Sequence, residues 1–139
     1  MQRYYFNTPR LGIFKPYADL FYAPSTKAQG AWVKKIQNTI EEYLSPIAFA
    51  YWFINDGDQK WKGRSTAVRI STNSFTKQEC CLLENALISR YNVKVTVQKA
   101  DIPKLNIQQY CLYICSKSFT TLKNIGTPVP SMAYKMPSE

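Results

Sequence analysis

Alternation and helical periodicity divide much of the chain into elements. Residues 66–72 alternate, with Thr66, Val68, Ile70 and Thr72 on one face and Ala67, Arg69 and Ser71 on the other. Residues 93–98 alternate again, with Val93, Val95 and Val97 inward and Lys94, Thr96 and Gln98 outward. In residues 109–115, Tyr110, Leu112 and Ile114 oppose Cys111, Tyr113 and Cys115. Between the first two strands, Cys80, Leu83, Leu87 and Tyr91 share a helical face, after a capping box at Thr76-Lys77-Gln78-Glu79 and before a left-handed terminator at Asn92. A second helix starts at Ser45-Pro46, where serine caps and proline takes the first helical position, and runs to Gly57 as its stop. Its Trp52 and Phe53 read as core. Shorter elements are a strand over 2–7, helices over 16–22, 38–44 and 118–125, and an extended piece over 31–36. The stretches 23–30 and 58–62 read as polar connections, and 127–137 as a Pro-rich tail. The order predicts an α+β fold, an antiparallel sheet with helices gathered on one face.

The opposite face of that sheet then carries Arg69, Ser71, Lys94, Thr96 and Gln98. A polar face can simply be solvated. The charge balance bears on that reading: 18 Lys and Arg against 9 Asp and Glu give +9 over 139 residues. Such an excess favours a polyanion, because neutralised phosphates release counterions. Extended strands fit the major groove, where long polar side chains reach base edges. Asn73, just after the first strand, joins the same candidates.

Histidine is absent. That excludes Ser-His-Asp and Cys-His catalysis, histidine zinc sites and a histidine-dependent nuclease. Chemistry has to run on carboxylates, lysines and a metal. Cys80, Cys81, Cys111 and Cys115 lack the spacing of zinc knuckles and read as small apolar residues in a reducing compartment. No run of about 18 apolar residues predicts a membrane span. The start of the chain has no apolar signal segment.

Within the Ser45-Pro46 helix, Phe49-Ala50-Tyr51-Trp52-Phe53-Ile54-Asn55 runs into Asp56-Gly57. An acid at a helix C-terminus sits where the dipole is already negative, which favours a bound cation. It can also be an ordinary helix-ending acid. The stretch resembles the signature helix of the LAGLIDADG homing endonucleases, in the variant that reads roughly LAYWFMDDG. Four ordered segments carry the resemblance: FKPYADLFY (14–22), IEEYLSPIAFAYWFINDG (40–57), VRISTNSFTKQE (68–79) and PSMAYKMP (130–137).

The resemblance implies a saddle-shaped antiparallel sheet over nucleic acid and two signature helices packed side by side. Ala48 and Ala50 would permit their close approach. Asp56 would be the metal-binding acid, holding Mg2+ with a second acid from the partner helix, and Lys135 the basic residue near the site. Asn55 departs from the acid common just before the essential one. A lysine in a tail is otherwise a surface lysine.

Residues 1–44 look like the end of a first repeat plus linker, and 45–139 like one LAGLIDADG domain similar to the C-terminal half of a two-motif protein. One Asp56 cannot make a two-acid site. The implied partners are therefore double-stranded DNA or structured RNA, and a second motif from a homodimer mate or separate fragment. Two expectations follow. One is an endonuclease half that cuts only when paired. The other is a non-cleaving RNA binder, either an intron maturase or an organellar ribosome component on rRNA. Family habit points to an organelle, the mitochondrion before the plastid.

Overall fold

A computed structural model describes residues 7, 9, 11–101 and 107–125. The expected strand over 2–7, apart from Asn7, and the tail with Lys135 lie outside the described residues. The chain forms two compact units, Met1–Lys35 and Ile36–Glu139.

In the first unit, a 3-10 turn at Gly12–Phe14 leads into helix α1, Lys15–Phe21. Pro16 is tolerated in its first turn, and Lys15 pairs with Asp19 one turn later at 2.8 Å. Strands β1, Tyr22–Pro24, and β2, Trp32–Lys34, then pair antiparallel as a small hairpin. Residues 23–30, expected as a plain linker, thus contribute a strand end and the hairpin's connection. No described residue of this unit is buried.

The second unit holds helices α2 (Ile40–Tyr43), α3 (Pro46–Asp56), α4 (Lys77–Tyr91) and α5 (Phe119–Ile125). Its strands are β3 (Gly57–Gln59), β4 (Val68–Ser71), β5 (Val95–Lys99) and β6 (Tyr110–Ile114). They form one sheet in the order β3-β4-β6-β5, with every neighbour antiparallel. β3 departs from expectation, since 58–62 read as loop. Pairing of Gly57 with Ile70 and Gln59 with Val68 draws those polar residues into the sheet edge.

The core lies between the sheet and the helices. Val68, Ile70, Leu112, Ile114 and Val95 meet Phe49, Phe53, Leu83, Leu87 and Leu122. Burying each large side chain contributes about 1.5–3 kcal/mol. The helix ends follow local chemistry. Ser45 Oγ accepts the Ala48 N–H, and Thr76 and Glu79 cap one another reciprocally at the start of α4. Asn92 closes α4 in the left-handed region at φ 52°. The Glu79 carboxylate also accepts the Ile36 N–H at 3.0 Å. Leu44 is buried, and Ile36 and Ile40 pack on the core. The second compact unit thus takes in residues 36–44 as well as 45–139. Thr72 is buried too, its hydroxyl donating to the Tyr110 carbonyl at 2.8 Å.

Candidate nucleic-acid interface and signature helix

Strand register decides which side chains share the outer face. Asp58, Arg69, Tyr113 and Thr96 stand opposite one another across all four strands. Ser71, Cys111 and Gln98 form the next row. Lys94 precedes β5 with the same parity as Thr96 and Gln98, and its carbonyl accepts the Cys115 N–H at 2.9 Å. The sheet thus brings Arg69, Ser71, Lys94, Thr96 and Gln98 together, as the alternation predicts. Asn73 is exposed in the turn after β4, so register does not fix it on this face.

Lys60, Trp61 and Tyr113 add a cluster that alternation did not single out. The Lys60 ammonium lies 4.2 Å from the Tyr113 ring centroid and 4.8 Å from that of Trp61. It donates to Gln98 Oε1 at 3.0 Å. Gln98 and Tyr113 are distant in sequence from Lys60 and Trp61, and the only sequence signals were the outward place of Gln98 and the place of Tyr113 opposite Leu112 and Ile114.

Charge on this face acts on Cys111 and Cys115. Burial pushes the Cys111 thiol up, against the pull of Arg69 and Lys60. Burial also raises Cys80, opposed by its hydrogen bond with Thr72. Cys115 is lowered, first by a backbone hydrogen bond at Lys117, with Ser116, Lys94 and Lys117 adding to it. A lowered pKa leaves more thiolate at any given pH, and thiolate is the nucleophile. Cys115 is therefore expected to alkylate with iodoacetamide faster than Cys80 and Cys111 at pH 7, and to reach its full rate at a lower pH. Peptide mass spectrometry against time measures this, and equal rates at Cys80 and Cys115 would contradict both assignments.

The signature helix α3 ends on Asp56, which is exposed at the junction with edge strand β3. Gly57 follows at φ −84° and ψ 150°. This is extended backbone, so the helix stops at Gly57 as expected, without a left-handed residue. The glycine is required for space instead. An added Cβ would overlap the Phe53 carbonyl oxygen and the edge of the Phe53 ring. Gly57→Ala is accordingly expected to cost about 2 kcal/mol through forced displacement of buried neighbours. A urea melt with an unchanged midpoint would show that the helix end yields freely.

Ala48 and Ala50 part company. Ala48 is half-buried, flanked on the helix surface by Ile47 and Tyr51, which are 69% and 49% exposed. Ala50, at 4% exposed, does not stand on that open stripe. The small residue available for close helix approach is therefore Ala48.

Asp56 offers the hard oxygen donors that suit magnesium. Among the described residues, no group of three or more His, Cys, Asp or Glu comes together. The donor type fits a divalent ion, and the donor number does not. No described helix is long and apolar enough to cross a membrane.

The sequence model of the LAGLIDADG DNA endonuclease family matches residues 1–122. The chain belongs to this family. LAGLIDADG endonucleases generally use divalent metal ions. This LAGLIDADG chain is 32% identical over 138 residues to the DNA endonuclease I-ChuI of Chlamydomonas applanata, covering 98% of this chain and 62% of that protein. It is 36% identical over 105 residues to the cytochrome b mRNA maturase bI2 of Debaryomyces hansenii, covering 74% of this chain and 37% of that protein. The structure of the homing endonuclease I-WcaI bound to its DNA recognition sequence superimposes with a TM-score of 0.75 at 23% identity, over 91% of this chain and 53% of that one. The α+β fold is thus that of a homing endonuclease, and the chain spans less than two thirds of each of these proteins.

Proposed function

We propose that this LAGLIDADG chain is a nucleic-acid-binding half of a homing endonuclease. In this reading its outer sheet face lies along double-stranded DNA, with Arg69, Ser71, Lys94, Thr96 and Gln98 in the groove and Asn73 at its margin. The single observation that carries it is the co-facial row set by strand register, whose edge residue Asp58 follows Asp56 by two positions at the helix–sheet junction. The net charge of +9 supports it. Asp56 contributes one acid of a site holding Mg2+. The other comes from a second signature helix, brought by a homodimer mate or a separate segment against the Ile47, Ala48 and Tyr51 stripe. Lys135 serves as the basic residue near that site. Residues 1–44 correspond to the end of a first repeat with its linker. The protein works in an organelle, and the likeness to a cytochrome b mRNA maturase favours the mitochondrion.

That likeness also supports a second reading, in which the face holds a structured intron RNA and no DNA is cut. The purified chain, alone and with a second-motif partner, is mixed with Mg2+ and long double-stranded DNA. Defined nicks, with binding that weakens linearly in log salt at about −0.9 per phosphate contact, are expected. Retention of intron RNA with no nicking in either mixture would replace the endonuclease reading by the RNA one.

A further inference from the structure

The Lys60 side chain makes an unusual crossing. Its backbone continues edge strand β3, donating to the Ala67 carbonyl at 3.1 Å. Its ammonium meets Tyr113 on β6 and Gln98 on β5, the opposite edge. The side chain therefore crosses β4 along the polar face, and the side chains of Tyr113 and Gln98 meet its end. Ala67, beside it in the hairpin, has the same parity as Arg69 and is too small to obstruct that path. The Trp61 and Tyr113 rings, 6.5 Å apart and steeply inclined, hold the charge between them. Such cation–π contacts localise a side chain that would otherwise sample many rotamers.

This placement has a consequence for Gln98. An ammonium only donates, so the amide atom facing it is the oxygen, and the orientation of Gln98 is fixed. A glutamine that reads adenine needs both functions, its NH2 toward N7 and its oxygen accepting from N6. Here Lys60 takes one lone pair of that oxygen, and the NH2 keeps both its donors. Lys60 offers donors as well. The major-groove edge of guanine presents two acceptors, N7 and O6.

We infer that Lys60 and Gln98 act as one specificity-determining pair that reads a guanine, with Lys60 holding the Gln98 oxygen and biasing the amide toward presenting its donors. This rests on the reading that the sheet face lies in a DNA groove. The test is selection from a randomised double-stranded DNA pool, using the full chain with any second-motif partner. Wild type, Lys60→Met and Gln98→Ala are compared, and circular dichroism melts confirm folding. Methionine keeps an unbranched apolar stem beside the rings and removes the charge.

Wild type is expected to enrich guanine at one position. Lys60→Met is expected to move the guanine-to-adenine ratio there by roughly tenfold toward adenine. Gln98→Ala should erase the adenine option at that same position. Equal weakening on every sequence by Lys60→Met would make Lys60 a phosphate contact and overturn the pair. So would an unchanged selection. Salt-sensitive retention of DNA with no base enriched at any position overturns the pair while leaving the groove-facing sheet in place. No retention of DNA at any salt overturns both.

Discussion

Asp56→Asn is expected to abolish strand cleavage by the paired enzyme while DNA binding stays within about twofold, since one exposed charge changes little of the phosphate term. The substitution keeps the shape of the side chain and removes its charge. Asp56 is exposed at the last turn of α3, so its removal opens no cavity. An acid at that end opposes the helix dipole by about 0.3–1 kcal/mol, and the asparagine variant should melt at the same temperature or slightly higher. A residue that costs stability where it stands has another reason to be there. Loss of charge stabilisation at the reacting phosphate of about 4 kcal/mol corresponds to roughly a thousandfold in rate. Single-turnover nicking of a plasmid carrying the selected site measures it. Cleavage within tenfold of wild type would place the essential acid elsewhere.

Leu112→Ala is expected to be the most damaging single truncation of the fold among those considered. Leu112 is fully buried on β6, paired across to Ile70 on β4 and Val97 on β5. It therefore sits at the middle of the sheet's packed face, where neighbours on both sides are fixed by hydrogen-bonded strands and collapse poorly into a void. Leu-to-Ala changes at such sites cost about 2–5 kcal/mol. In a unit near 100 residues, each kcal/mol moves Tm by about 4–8 °C, so a fall on the order of 15–25 °C is expected. Thermal and urea melts measure it. A loss below about 1 kcal/mol would mean that the core rearranges around position 112. Tyr113→Ala, one residue along on the polar face, should cost much less stability.

What the sequence made legible was short-range chemistry. Ser45-Pro46, Thr76 with Glu79, and Asn92 mark helix ends because each acts within four residues of itself. The faces of β4, β5 and β6 were legible because side chains alternate with period two whatever the partner strand. The four ordered segments made the family legible, and with it the expectation placed on Asp56. β3 escaped because Gly57, Asp58 and Gln59 lack strand propensity and are held by β4. The role of Gly57 escaped for a related reason, since its crowding comes from the Phe53 ring and carbonyl rather than from its own φ. Ala50 and Ala48 look alike in sequence, and only the packed helix separates the buried one from the open one. Lys60 could not be paired with Gln98 before the strand order was known, because β5 and β3 are opposite edges.

Glu79 fixes where this unit can be transplanted. Its carboxylate accepts from Thr76 with one oxygen and from Ile36 with the other. A chimaera joined at Ser45 would keep the signature helix and the whole sheet. It would discard the Ile36 amide, Ile40 and Leu44, and leave half of that acid's bonding unmet. A junction before Ile36 keeps them all. Exchange of this unit between relatives, whether by recombination or by design, should therefore succeed at the earlier seam and yield insoluble protein at the later one.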